Sequence, residues 1–256
     1  MVGASSMLGK RLITVLNTSG IEVITCGRDK SNDIILDLSS SKNIEFSDNA
    51  NANYIFNCAA SFENDSVHGF KINEQINSSG CATLVQLAMA FNCKNFINVG
   101  TIFSEIRKGS NYKLNSYAFS KLRGEQLLER LLLDTEINFC SIRLPQLIDE
   151  YGECVKHQKW FGRIIFNAFN GTDLIMPSHK SVQNFMHVKD AAMALKAALE
   201  SDLSGVFHLS HPENISYQKI ATIAYELFSN GGQVIMDKTK APFFRYYFPK
   251  SLKNYN

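Results

Sequence analysis

Short β-rich runs alternate with longer stretches of helical period through the first 145 residues, and that alternation most restricts what this chain can fold into. The apolar runs lie at 21–26 (IEVITC), 53–60 (NYIFNCAA), 95–100 (NFINVG) and 137–144 (INFCSIRL). Helical patterns fill 10–18, 72–91 and 116–133. Short strands separated by helices predict β-α-β units, hence a parallel sheet covered on both faces. After Pro145 the alternation stops and a second lobe is expected to begin. A chain of 256 residues suits one large domain, or a core domain with an appended lobe.

The charge balance excludes several classes. Net charge is +2 with no basic stripe, which gives no support to binding nucleic acid or a membrane surface. No apolar run approaches the roughly 20 residues that cross a bilayer, and no signal peptide is visible at the N-terminus. Six cysteines are scattered without a C-x-x-C pair. In an α/β pattern they read as reduced, mostly buried thiols of a cytoplasmic protein, without a disulfide frame or metal site.

The segment from Gly3 to Gly9 (GASSMLG) sits between a predicted strand and a helix. Glycine allows a tight turn and close approach of backbone to a phosphate, and a helix N-terminus offers unpaired N–H groups to an anion. Ser5 and Ser6 add hydroxyl donors or cap the helix. A plain strand-to-helix turn accounts for the same residues. Arg28 follows the second run, in ITCGRD. An arginine at that strand end suits a dinucleotide 2′-phosphate and an acid suits a free 2′-hydroxyl, so Arg28 with Asp29 is mixed and tilts toward NADP. A solvated loop arginine is the plainer reading. Asp37 either faces an adenine edge or caps a turn.

Tyr117 and Lys121 stand four apart in SYAFSK, beyond Thr101 in FINVGTIF. Residues four apart share one helix face. The ammonium is expected to lower the phenol's pKa, and a Thr101 hydroxyl at a strand end can bond the same substrate oxygen. Tyr-x-x-x-Lys alone is weak evidence, since a solvated helix face produces it by chance.

Taken in order, these segments resemble the extended short-chain dehydrogenase/reductases, specifically the NAD-dependent epimerase/dehydratase group acting on nucleotide sugars. GASSMLG resembles the G-x-x-G-x-x-G loop. NCAAS resembles a strand motif beside the cofactor, and INSSGCATLVQLA a helix with Asn77 at the group's asparagine. FINVGT and SYAFSK place Thr101, Tyr117 and Lys121 on the catalytic residues. IRLPQLIDEYG, QNFMHVKDAAMAL and GVFHLSHPENISYQKIA complete a match over nearly the whole chain. The resemblance implies an α/β, Rossmann-type doubly wound parallel sheet with a smaller C-terminal substrate lobe. Residues 1–145, with 184–210 returning, would bind NAD(P); 146–183 and 211–256 would form the lobe. It implies cofactor contacts from Gly3, Ser5, Ser6, Met7, Leu8, Gly9, Arg28, Asp37, Leu38, Cys58, Ala59, Ala60, Asn77, Tyr117, Lys121 and Leu144. The cofactor is NADP or NAD, the partner is a nucleotide sugar, and a homodimer is compatible.

Departures from the pattern carry further expectations. Only Met1 and Val2 precede the loop, so the first strand reads as stunted or truncated. A strand normally runs about five or six residues, so the natural chain is expected to start several residues upstream, and the present form to bind dinucleotide poorly and melt low. Ser6 replaces the loop's middle glycine, and Gln183 stands where many relatives carry an arginine near the nucleotide phosphates. The stretch from Thr101 to Tyr117 is short. Ile102 and Phe103 follow Thr101, where the group's dehydratases carry a carboxylate pair. Losing water beside a ketone needs a donor and an acceptor beyond the tyrosine, so hydride transfer at a keto or hydroxyl carbon is the economical reading. It points to a 4-ketoreductase of surface-polysaccharide sugar synthesis, like the CDP-sugar reductases that make abequose and paratose. A 4-epimerase uses the same three residues, and a non-catalytic dinucleotide sensor is a third class. His187 with Asp190 reads as structural. Trp160, Phe161 and Arg163 line a nucleotide pocket or pack a core. His208 and His211 mark a strand end and loop, and Phe244, Tyr246, Tyr247 and Phe248 form an aromatic cluster near the C-terminus.

Overall fold

A computed structural model of the chain describes residues 1–40, 51–105, 114–177 and 182–240. The elements run α1 (Met7–Thr18), β1 (Cys26–Gly27), β2 (Ile34–Ile35), β3 (Tyr54–Asn57), α2 (Val67–Glu74), α3 (Gly80–Ala90), β4 (Asn95–Thr101), α4 (Ser116–Leu132), β5 (Asn138–Leu144), β6 (Gln146–Ile148), α5 (Lys159–Asn170), β7 (Leu174–Met176), β8 (Val182–Gln183), β9 (Phe185–His187), α6 (Val188–Ala197), β10 (Gly205–His208), β11 (Ile215–Ser216), α7 (Tyr217–Phe228) and β12 (Val234–Met236). The expected aromatic cluster of Phe244, Tyr246, Tyr247 and Phe248 lies outside the described residues. The chain divides into two compact units, Met1–Leu144 with Lys189–Leu209, and Pro145–Val188 with Ser210–Asn256.

The first unit is built on a parallel sheet in the order β10-β5-β4-β3, with β1 and β2 paired beside it. Val2 joins the two groups, because it bridges Cys26 on one side and Asn57 on the other, both in parallel. The central position is thus held by a bridge one residue long. The Val2 N–H donates to the Phe56 carbonyl at 2.9 Å, and its carbonyl accepts from Cys58 N–H at 3.0 Å. Met1 and Gly3 bond Cys26 in the same way, at 2.8 and 2.9 Å. The residues alternate, Val2 bonding the β3 side while Met1 and Gly3 bond the β1 side. The expected strand at 21–26 is reduced to β1 at Cys26–Gly27, although the Met1 ammonium still donates to the Ile24 carbonyl at 2.7 Å.

Helix starts follow local side-chain chemistry. Ser6 caps α1 by accepting the Gly9 N–H at 3.0 Å, Ser66 caps α2 through Gly69 N–H, and Asn115 caps α4 through Ala118 N–H. Leu8, Leu12, Val15 and Leu16 form the buried face of α1. Beneath the sheet, Phe96, Leu84 and Leu128 are wholly buried in one continuous core. The expected single helix over 72–91 is two α-helices joined by a π turn, Gln75–Ser79. The wider turn carries the Asn77 carbonyl against Gly124 of α4, so close that a Cβ there would lie 1.9 Å from the oxygen.

In the second unit short strands pair two by two: β6 with β9, β8 with β11, and β7 with β12. Helices α5 and α7 pack over a core of Ile164, Ala168, Leu174, Met176, Ala221 and Ala224. Trp160 and Phe161 join that core, Phe161 lying 6.0 Å from the Phe185 ring, while the Arg163 guanidinium covers Trp160 at 5.0 Å.

Candidate active site

Thr101 ends β4 and is buried, with Ile102–Ser104 forming a 3₁₀ turn behind it. Its hydroxyl accepts the Phe103 N–H at 3.3 Å and lies close enough to the Tyr117 phenol to hold that group's pKa down in part. Tyr117 lies in the first turn of α4, where the Asn115 cap fixes the helix start, and Lys121 follows one turn later. The fold therefore gathers the three expected residues in the first unit. The Lys121 side chain is buried and its ammonium has no hydrogen-bond partner among the described residues.

Burial dominates the electrostatics. It raises the Tyr117 pKa, and the Thr101 hydroxyl pulls partly in the opposite direction. The expectation that Lys121 lowers the phenol's pKa is corrected here, because removing the phenolate from water costs more than this neighbourhood returns. Burial also holds Lys121 below the ordinary lysine range, against the pull of Cys81, Glu125 and Cys58. Tyr117 is thus kept as a proton-bearing phenol, and Lys121, one turn further along α4, is a desolvated ammonium.

The glycine loop is tightly built. Gly3 has φ of 74°, and a Cβ on it would meet the Ala59 nitrogen at 2.6 Å. A Cβ on Gly9 would meet the Gly3 carbonyl at 2.3 Å. Ser6 has an extended backbone that any residue adopts, and its hydroxyl is turned to Gly9 as the helix cap. Ser5 is exposed. The amides of Met7 and Leu8, in the first turn of α1, have no partner among the described residues, the arrangement that receives a pyrophosphate. The unpartnered Lys121 ammonium and these open amides fit a dinucleotide.

The other expected contacts are distributed as follows. Arg28 is exposed just after β1, close enough to Asp37 to lower that carboxylate's pKa slightly. Asp37 accepts from the Ser39 hydroxyl at 2.7 Å and its N–H at 2.9 Å, and those bonds are the main cause of its lowered pKa. That is the turn-capping alternative. Leu38 is buried against Gly80. Cys58 is buried and its thiol is pushed up to about 12, while Ala59 and Ala60 are half-buried at the end of β3. Asn77 uses its amide internally, donating to the Ser61 carbonyl at 2.9 Å and the Ser120 hydroxyl at 3.0 Å and accepting from Ser61 N–H at 2.7 Å. It ties the loop after β3 to α4. Leu144 ends β5, buried. In the second unit His187 lies 3.2 Å from Glu150, and the buried Gln183 Oε1 has no partner among the described residues.

Two features escape the sequence reading. The Phe62 ring stacks on Tyr117 at 4.5 Å and 24°, with about half of its surface open. No spacing rule relates those residues. Arg143 gathers Glu125, Glu105 and His208 directly behind Thr101. The one local signal was Glu125, four residues beyond Lys121 on the same face of α4.

Residues 1–209 match the family model described as NAD dependent epimerase/dehydratase family. No curated protein matches the chain. Among solved structures, a UDP-glucose 4-epimerase of Thermotoga maritima with UDP-glucose is 13% identical, with a TM-score of 0.75 over 92% of this chain and 84% of that one. The UDP-glucose 4-epimerase of Thermus thermophilus in complex with NAD is 17% identical, with a TM-score of 0.69 over 94% and 85%. TunA, an NAD-dependent NDP-hexosamine 5,6-dehydratase of tunicamycin biosynthesis, is 14% identical, with a TM-score of 0.73 over 94% and 84%. At these identities the likeness is one of fold.

Proposed function

Because the chain belongs to the NAD dependent epimerase/dehydratase family, we propose that it is an NAD(P)-dependent oxidoreductase that reduces the 4-keto carbon of a nucleotide-linked sugar. The observation that carries this reading is the Thr101–Tyr117–Lys121 cluster, with the apolar pair Ile102 and Phe103 in the turn behind Thr101. Dehydration needs a separate acid and base, and the nearest carboxylate after that turn, Glu105, is engaged by Arg143 and His208. The second unit is the proposed nucleotide-sugar lobe.

The amides of Met7 and Leu8 would hold the dinucleotide pyrophosphate, and Lys121 its nicotinamide ribose. When bound, the nicotinamide supplies the hydride. Tyr117 gives its proton to the oxygen that develops negative charge at the reduced carbon. Thr101 donates to the same oxygen. Donors set in advance where charge develops are each worth about 3 kcal/mol of barrier. Phe62, stacked on the phenol, holds the tyrosine ring in place and shields it from water.

A panel of nucleotide 4-keto sugars offered with NADPH and NADH tests the reading. A reductase consumes reduced cofactor stoichiometrically. Interconversion of C4 epimers without net consumption would instead establish the 4-epimerase, which uses the same three residues, and dinucleotide binding without turnover would establish a sensor.

Two further results are expected. Arg28 stands open at the end of β1 while the neighbouring Asp37 carboxylate is occupied by Ser39. NADPH should therefore bind more tightly than NADH, and Arg28→Ala should narrow the difference. Equal affinities in the parent protein would remove the NADP assignment.

The pH profile of kcat/KM should follow the two shifted groups. Reduction needs a protonated Tyr117 and a charged Lys121. The phenol's pKa is raised, so it stays protonated throughout the neutral range, whereas the lysine's is lowered by burial. Activity should be full at lower pH and fall as pH rises through a value below that of an ordinary lysine. Lys121→Arg, whose guanidinium does not titrate, should remove that limb. A limb at or above the ordinary lysine value would contradict the burial assignment.

A further inference from the structure

We propose that Arg143 is a positioning residue for the proton-transfer cluster, clamping α4 through Glu125 and the turn after Thr101 through Glu105. The inference rests on the proton-transfer reading above. Arg143 lies on β5, in register with Gly100 of β4 on one side and His208 of β10 on the other. Its Nη2 donates to Glu125 Oε1 at 2.5 Å, and its Nε lies 3.2 Å from both carboxylate oxygens. Its Nη1 donates to Glu105 Oε2 at 3.0 Å and lies 3.3 Å from His208 Nε2. One planar guanidinium thus holds two carboxylates from two different parts of the cluster.

The positions of those carboxylates give the contact its meaning. Glu125 is one helical turn beyond Lys121 and two beyond Tyr117. Glu105 closes the 3₁₀ turn that begins at Thr101. Gly100, the residue before Thr101, is where the clamp lies flush on the strand. A Cβ there would meet Arg143 Cγ at 2.9 Å and Glu125 Oε2 at 3.0 Å. The chain continues inward, since the Ser141 hydroxyl donates to Glu125 at 2.6 Å, Asn98 to Ser141 at 3.0 Å, and Asn57 to Asn98 at 3.0 Å. The side chains of Arg143 and Glu125 are 12% and 3% exposed. A buried ion pair is weak evidence for stability, since well-packed apolar residues often do as well. A fork reaching from the helix of the proton donor to the strand end of its hydroxyl partner does what apolar packing cannot. It sets a distance and an angle between two polar groups.

Glu105→Ala and Arg143→Lys test the clamp, using thermal melting, dinucleotide affinity, turnover, and the carbon resonance of a ring-labelled Tyr117 assigned with Tyr117→Phe. Glu105 is partly open to solvent, so its variant should fold with little change in melting temperature. Its Tyr117 resonance should move, and kcat should drop about 10–100-fold with KM within about twofold, as expected when reacting groups are misplaced by an ångström. Arg143→Lys keeps the charge and loses the fork, so its loss should be at least as large, and the double variant should be no worse than Arg143→Lys alone. A folded Glu105→Ala protein with the parent resonance and parent kcat would overturn the proposal, as would losses in activity that merely track melting temperature. If Arg143→Lys does not fold, Glu105→Ala decides alone. If the parent turns over no keto sugar, the reductase reading fails, while the Tyr117 resonance still decides whether the clamp sets the phenol's surroundings.

Discussion

Tyr117→Phe is expected to lower turnover by about 10²–10⁴-fold, the usual contribution of a positioned general acid, and to leave the fold almost unchanged. The variant removes one hydroxyl. The aromatic ring keeps its stack on Phe62, and the Asn115 cap on α4 is untouched. Dinucleotide affinity should therefore stay close to that of the parent, because the loop at Gly3–Gly9 and Lys121 remain. The neighbouring Thr101 hydroxyl keeps its bond from the Phe103 N–H. Melting, dinucleotide titration and turnover on one preparation separate these effects. A variant that keeps most of its turnover would show that another group delivers the proton.

Gly124→Ala is expected to produce the larger loss of stability. In an ordinary helix interior this change stabilises by roughly 0.5–1 kcal/mol. Here the new Cβ would lie 1.9 Å from the Asn77 carbonyl oxygen and 3.1 Å from the Cys81 sulfur. The obstacle is backbone, which cannot rotate away as a side chain does. Overpacking of this kind costs about 1–3 kcal/mol, so the clash outweighs the helix preference. Each kcal/mol shifts the melting temperature of a chain this size by about 2–4 °C. Because α4 carries Tyr117 and Lys121, and Asn77 bonds Ser120 of the same helix, turnover should fall with stability. A Gly124→Ala protein that melts at or above the parent temperature would mean that the π turn and α4 do not approach so closely.

Much of the first unit was readable from residue order. The runs at 95–100 and 137–144 became β4 and β5, and the stretch at 116–133 became α4 with the Tyr117–Lys121 spacing on one face. These are long, strongly patterned segments whose local preference agrees with their place in the core. The misreadings fall where local pattern does not decide. Residues 21–25 are rich in strand formers, yet only Cys26–Gly27 pair as a strand, beside Val2 and β2. The π turn at Gln75–Ser79 leaves no mark in the hydrophobic period, because it arises from Gly124 and Gly80 letting backbones approach. Asp37 reads either as an adenine contact or as a turn cap, and in the fold it accepts from Ser39, two residues away.

By itself the sequence determined the parallel α/β architecture, the glycine loop at a helix start, and the one-turn spacing of Tyr117 and Lys121 on α4. Those features are encoded in spacing along a single element, where geometry follows from the helix or strand repeat. Only the tertiary structure decided how those residues behave. It buried Lys121 and half-buried Tyr117 under Phe62, so that desolvation dominates both pKa values. It set Phe62 on the phenol, turned Asn77 inward as a tie, and brought Glu105, Glu125, Arg143 and His208 together from four elements or turns. Burial and such contacts depend on which distant segments meet, and no periodicity along the chain carries that information.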